Sequence, residues 1–483
     1  MTNPDRLSGL DASFLALEDA GAHMHVGSCL LFEGEAPDYN SFLAQLDSRL
    51  HLVPRYRQKL AFPPLTQARP VWIDDPHFNP GYHVRHTALP APASLEQLRN
   101  LTGRVLAQRL DRTKPLWEIW LVDDVEGGRF AMITKTHHCL VDGVSGVDIA
   151  TVLFDAAADP DPPPEPPPPW FPRPAPSPAT LVADALGERM STPLDAARLA
   201  ADALAHPDKA AGHLGKAAYG LGAMLRAGLQ GAPPSPYNVQ IGPHRRFAWA
   251  DGDLAQFKAI KDALGGSVND VVLAAVTGAL RTHMQANGHE VDGVELKAMV
   301  PVSIRAEAER GALGNRVTSM FAPLPIYADD PVERFEIVHE AMQGLKESGQ
   351  AVGAEMLTQL AGFAPPTVLS QASRLQSSQR AFNVVVTNVP GPQFPLYMLG
   401  RRLRAIYPQV PLVKNTALGI AIMSYDGRLG FGLLGDYDAL PELDQVAADL
   451  EDAIDELAAA AGLQDRTGSK RRRPASRRKA AAT

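Results

Sequence analysis

Only two cysteines, Cys29 and Cys139, occur in 483 residues. A disulfide framework is therefore excluded, and such cysteine usage points to a reducing compartment. No uninterrupted apolar run approaches the roughly 18 residues that a membrane-spanning helix needs. The opening Met1-Thr2-Asn3-Pro4-Asp5-Arg6 carries no apolar stretch of the signal-peptide kind, so no secretory leader is expected. Two hydrolase signatures are missing as well. There is no G-x-S-x-G, the strand-to-helix elbow of a serine nucleophile, and no H-E-x-x-H pair of zinc ligands. Core material, by contrast, is plentiful. The chain is 45% hydrophobic and 21% charged, and its length allows about two to four domains, or two large ones. The net charge of -8 includes a strongly basic run from Lys470 to Lys479, so the rest is more acidic than the total. Nucleic acid is not the expected partner of the main body. The basic run reads either as a solvated tail or as a contact with an anionic surface.

Proline marks the clearest boundary. Pro160 to Pro169 is almost all proline, and the bias continues to Pro178. Such a stretch forms an extended polyproline spacer rather than helix or central sheet. Four segments follow: a first lobe over 1–158, a Pro-rich linker with crossover helices over 159–236, a second lobe over 237–465 and a basic tail over 466–483. In the first lobe, His25–Phe32, Trp117–Val122 and Arg129–Thr134 read as strands, and Tyr39–Leu50 as a helix. A helix is expected after the 137–143 motif, with Val147, Ile149, Ala150, Leu153 and Phe154 inward. In the second lobe, Leu254–Leu264 reads as a helix ended by Gly265-Gly266. Ser267 and Asp270 are spaced to cap the helix that follows. Strands are expected over Leu296–Val302, Arg316–Ile326 and Phe382–Thr387. A helix starts at Asp330-Pro331, a hairpin turns at Asp426-Gly427, and Leu443–Ala461 is the last helix. The two blocks share a mixed pattern, which implies an α+β fold of two lobes facing a cleft.

The densest chemistry is His137-His138-Cys139-Leu140-Val141-Asp142-Gly143, an H-H-x-x-x-D-G sequence at the end of an apolar strand. A histidine leaving a strand can present a ring nitrogen to a cleft and take a proton near neutral pH. By pattern alone, a catalytic base and a pair of structural histidines stand level. Cys139 reads as a small loop residue before it reads as a nucleophile. A metal site is the next rival, yet no third ligand announces itself. Asp142 either polarises a histidine or braces the loop. Bracing is favoured because four residues on a tight turn leave it short of the outer nitrogen of His138. Arg55 and Arg57 are the candidate partners, with Arg57 preferred. Gly143 lets the chain turn.

The chain resembles the bacterial wax ester synthase/acyl-CoA:diacylglycerol acyltransferase family. The H-H-x-x-x-D-G motif alone gives only the wider superfamily of chloramphenicol-acetyltransferase-like enzymes and condensation domains. The family resemblance rests on landmarks along the whole chain. They are Leu7 to Phe14 (LSGLDASF), Pro115-Leu116-Trp117-Glu118, Asn238 with Gly242 and Arg245-Arg246, and Ser267 to Leu273 (SVNDVVL). Val300 to Arg305 (VPVSIR), Gly314-Asn315 and Asn388 to Pro392 (NVPGP) complete the set. The resemblance implies two chloramphenicol-acetyltransferase-like lobes with a substrate tunnel between them, and His138 at its mouth. It gives His138 the role of general base and His137 a supporting one. Pro115, Leu116 and Trp117 are implied to be structural. Asp270 is favoured as structural, and Asn269 stays open between helix start and oxyanion donor. The implied reaction is acyl transfer from acyl-CoA, a co-substrate, to diacylglycerol or a long-chain alcohol, with no bound cofactor and no metal. Peripheral contact with an inner membrane or lipid inclusions is the implied location, in the cytoplasm. The rivals are an acyltransferase with another alcohol acceptor and a non-catalytic protein that coats lipid droplets.

Overall fold

The computed structural model describes residues 5–64, 69–140, 153–160, 169–184, 231–303, 317–347 and 380–463. Helix α1 (Gly9–Leu17) leads to strand β1 (His25–Glu33) and helix α2 (Tyr39–Arg49). Short strands β2 (Gln58–Ala61) and β3 (Val71–Asp74) make a separate ribbon. The one-turn helix α3 (Pro80–His83) precedes β4 (Val84–Ala88), α4 (Leu95–Ala107), β5 (Trp117–Val125) and β6 (Arg129–His137). The second half begins with β7 (Arg245–Asp253), α5 (Leu254–Leu264), α6 (Val268–Ala286) and β8 (Glu295–Ser303). It continues through β9 (Val317–Pro325), α7 (Pro331–Glu347), β10 (Val384–Pro390), β11 (Tyr397–Met398) and β12 (Arg401–Gln409). The hairpin β13 (Leu418–Tyr425) and β14 (Arg428–Asp436) and the helix α8 (Leu443–Ala460) close it.

Two six-stranded mixed sheets result, ordered β11-β12-β1-β6-β5-β4 and β7-β14-β13-β10-β8-β9. The first contains a surprise for the sequence reading. Strands β11 and β12 lie within 237–465 yet belong to the sheet of the first lobe, with Leu30 opposite Ile406 and Cys29 opposite Tyr407. Neither strand is among those expected from the pattern, and even a recognised strand does not name a partner so far away in the chain.

Alternation along β1 separates two cores. Leu30 and Phe32 face one that holds Phe42 and Leu46 of α2 with Leu116 and Trp117. Cys29 and Leu31 face another, shared with Leu98 and Val105 of α4 and with α6 and α8 of the second lobe. The lobes therefore meet through a continuous apolar layer. Glycine lets their backbones approach. A β-carbon at Gly432 would fall 1.7 Å from the carbonyl oxygen of Pro408, and one at Gly103 would fall 2.7 Å from that of Arg245. Trp249 and Tyr407 stack across the junction at 4.7 Å and 8°.

Local signals explain the elements that position the site. Ser94 and Gln97 form a reciprocal capping box on α4, and Ser267 and Asp270 form another on α6. Asp330 accepts from the amides of Val332 and Glu333 to start α7. Asp426 and Gly427, at φ 44° and 79°, turn the β13–β14 hairpin. Among the described residues no single helix is long and apolar enough to cross a membrane. Of the helix expected after the motif, residues 141–152 lie outside the described residues, while Phe154 is buried in the first-lobe core. The crossover helices over 185–230 and the basic tail also lie outside them. The described start of the linker packs on the first lobe, where Arg173 reaches Asp74 and Trp170 lies 5.2 Å from the Arg57 guanidinium.

Candidate active site

Strand β6 ends on His137, and His138 begins the turn beyond it. Both backbones are held from behind. The amide of His137 donates to the carbonyl of Leu116 at 2.9 Å, and that of His138 to the carbonyl of Met24 at 2.8 Å. Leu116 is fixed in turn by its neighbour. Trp117 is buried, donates from Nε1 to the carbonyl of Tyr56 at 2.8 Å, and stacks on His83 at 4.5 Å. Pro115 is buried ahead of them. The Pro115-Leu116-Trp117 element thus forms the wall behind the histidines.

The two rings differ. His137 is buried, and its Nδ1 accepts the amide of Cys139 at 3.1 Å. The neutral ring must then carry its proton on Nε2, which faces a carboxylate oxygen of Glu18 at 4.0 Å. Burial first, then the Arg112 charge, pushes the His137 pKa down to about 3. It is a neutral brace at any physiological pH. His138 is half-buried, and its ring lies on Phe14 of α1 at 4.0 Å and 22°.

A further polar layer sits beneath. His25 is opposite His137 on β1, with ring centroids 5.9 Å apart, and His23 lies 5.6 Å from His25. His25 approaches Glu18 at 3.5 Å. Burial, then Lys135, holds His25 well below the ordinary histidine value, so this is a neutral ring beside a carboxylate rather than an ion pair. Burial and the Arg245 charge bring His23 down to about 4. Glu18 finds its charge partner in Arg112, which donates to it from Nε at 3.0 Å and also from Nη2. Arg245, from the second lobe, donates to the carbonyl of Gly21, two residues before His23. The loop that carries His23 and Met24 is therefore tied to both lobes. Sequence gives no site role to Phe14, the end of the Leu7–Phe14 landmark, or to Glu18, Arg112, His23 and His25, because their neighbours come from distant segments.

Cys139 is buried, and burial pushes its thiol pKa up, away from nucleophilic thiolate. Asp142 and Gly143 lie outside the described residues. Arg57, the preferred partner of Asp142, donates to Asp47 at 3.1 Å, and Arg55 to Gln58 at 3.1 Å. Among the described residues no three His, Cys, Asp or Glu side chains are placed to share a metal ion.

Asn269 and Asp270 sit at the start of α6. Asp270 accepts the Ser267 amide at 2.8 Å and Nδ1 of His339, on α7, at 2.8 Å. Gly266, at φ 90°, makes room for that pair. A pocket of about 380 Å³ opens beside them, lined by Gly266, Ser267, Asp270, His339, Met342 and Gln343. It does not include the histidine pair or Asn269. The structure brings His137, His138 and the Pro115-Leu116-Trp117 wall together, while Asn269 and Asp270 stand at the start of α6 in the second half of the chain.

Comparison with known proteins agrees with this architecture. The family model of the wax ester synthase/diacylglycerol acyltransferase catalytic domain matches residues 7–272, and that of the corresponding C-terminal domain matches 313–458. A probable diacylglycerol O-acyltransferase of Mycobacterium tuberculosis is 32% identical over 459 residues, covering 94% of this chain and 96% of the relative. The wax ester synthase/diacylglycerol acyltransferase structure from Marinobacter aquaeolei superposes with a TM-score of 0.66 at 28% identity, covering 95% of this chain and 100% of that one. A starter condensation domain of a rhizomide synthetase, solved with C8-CoA and Leu-SNAC, shares the fold at a TM-score of 0.57 and 14% identity, covering 95% and 94%. The chain belongs to the wax ester synthase/diacylglycerol acyltransferase family of O-acyltransferases.

Proposed function

We propose that the protein transfers a long-chain acyl group from acyl-CoA to the free hydroxyl of diacylglycerol, with His138 as general base. One observation carries the assignment of the base. The pair is chemically split: His137 has its Nδ1 engaged by the Cys139 amide, whereas His138 is the more exposed ring, at the turn that leaves the strand. In the proposed step a ring nitrogen of His138 takes the hydroxyl proton as the oxygen bonds to the thioester carbonyl carbon. The oxyanion collapses, the C–S bond breaks, and the departing thiolate takes the proton back from the imidazolium. No net proton is left over. A thioester is already activated, so the step needs no nucleophilic residue of the protein.

Diacylglycerol is favoured as acceptor because the M. tuberculosis relative bears that name. Wax ester synthesis from a fatty alcohol is the second reading, favoured by the name of the Marinobacter structure. Acyl-CoA as donor is supported by the CoA ligand of the condensation domain that shares the fold. The acyl chain is proposed to lie in a tunnel between the lobes, and the protein to work at a lipid surface, which such substrates require. Asn269 is kept as an oxyanion or orienting candidate, Asp270 as a cap, and Asp142 and Gly143 as the brace and turn of the motif loop.

Thiol release from palmitoyl-CoA by purified protein tests the reading, run with a diacylglycerol, with hexadecanol and with neither. Release that depends on diacylglycerol and exceeds that with hexadecanol is expected. Release with neither, or none at all from protein that binds vesicles, contradicts it.

A further inference from the structure

We propose that α1 belongs to the catalytic apparatus, and that Phe14 is a positioning residue that helps to orient the His138 ring. The inference rests on His138 being the base. Phe14 and Glu18 are four residues apart, so they share one face of the helix. That face meets the motif in register. Phe14 lies on His138 at 4.0 Å, and Glu18 stands 4.0 Å from Nε2 of His137.

The helix is pinned at both ends. Ser8 caps its start, accepting the amide of Asp11 at 3.1 Å. At its end Arg112 holds the Glu18 carboxylate and donates to the carbonyl of Leu15 at 3.1 Å. Arg112 lies three residues ahead of Pro115, in the loop whose Leu116 carbonyl takes the His137 amide. One loop therefore holds the helix with its arginine and His137 with its backbone.

This matters because the outer torsion of histidine is broad. Fixing the His138 amide on Met24 does not fix the ring plane; what touches the ring does. A flat phenyl ring 22° from parallel restricts that rotation and keeps water from one face of the base. Leucine fills similar space but presents no flat face.

The test compares Phe14→Leu and Phe14→Tyr with the parent, and with His138→Ala. For Phe14→Leu, kcat should fall about 10- to 100-fold with the KM for palmitoyl-CoA within about 3-fold, as expected for lost orientation. Phe14→Tyr should recover most of the rate, and both should melt within a few degrees of the parent. If Phe14→Leu folds poorly, Phe14→Met replaces it in the same comparison. Parent-like kcat in Phe14→Leu beside an inactive His138→Ala overturns the positioning role alone. A loss that lies in KM, or that Phe14→Tyr shares, also overturns it. Activity in His138→Ala overturns the base, and the positioning role with it.

Discussion

The amide of Cys139 donates to Nδ1 of His137 at 3.1 Å, which makes the first histidine of the motif a fastener of the turn that presents the second. Replacing it should loosen that turn without deleting the base. His137→Ala is expected to lower kcat about 10- to 100-fold through misplacement of His138. It should also cost about 1–3 kcal/mol by leaving a buried amide without its acceptor. Single-turnover thiol release and urea unfolding measure the two effects. Turnover as low as that of His138→Ala would instead make His137 a participant in the chemistry.

The buried histidines predict how stability responds to acid. His23 is lowered to about 4, His137 to about 3, and His25 well below the ordinary value, in each case first by burial. The unfolded chain protonates all three near 6.5, so it binds more protons than the folded one below that pH. Their contribution is intact above pH 6.5 and is lost as pH falls from there towards 4 and below. Each group steepens the loss by up to about 1.4 kcal/mol per pH unit. Urea unfolding at pH 7.5, 6 and 5 should show it, with a shallower slope in His23→Gln. Equal stability at pH 7.5 and 5 would contradict the neutral buried cluster.

Two glycines separate close approach from open space. A β-carbon at Gly432 would overlap the backbone of Pro408, where β14 packs on β12. Gly432→Ala should cost at least about 3 kcal/mol by forcing the sheets apart. Gly344, on α7, has nothing within 4 Å of where its β-carbon would stand. Gly344→Ala should stabilise by about 0.5–1 kcal/mol. Melting curves of the pair test the sheet junction directly, and a harmless Gly432→Ala would mean that the junction is looser than described.

Sequence pattern served the second lobe better than the first. The Leu254–Leu264 helix, the Ser267 cap and the Asp426-Gly427 hairpin carry their own local chemistry, and each stands where it was expected. The Ser94-x-x-Gln97 box that starts α4 and the Ser8 cap that starts α1 are equally local signals, yet the sequence reading left both helices out. Strands β7 and β12 are likewise absent from the expectations, and the pairing of β12 with β1 spans more than 370 residues, beyond any local signal. The site divides in the same way. His138 is legible because its motif is contiguous. Phe14 is marked only as the end of the Leu7–Phe14 landmark, without a role, and Glu18 and Arg112 are not marked at all, because the helix, the histidines and the arginine loop meet only in three dimensions.

The most direct measurement is triacylglycerol formation from palmitoyl-CoA and diacylglycerol by His138→Ala, beside the parent protein and with circular dichroism to verify the fold. The account predicts an intact fold and a loss of about 10²- to 10⁴-fold or more, the range of a missing general base. Product formed by folded His138→Ala at near the parent rate would contradict it.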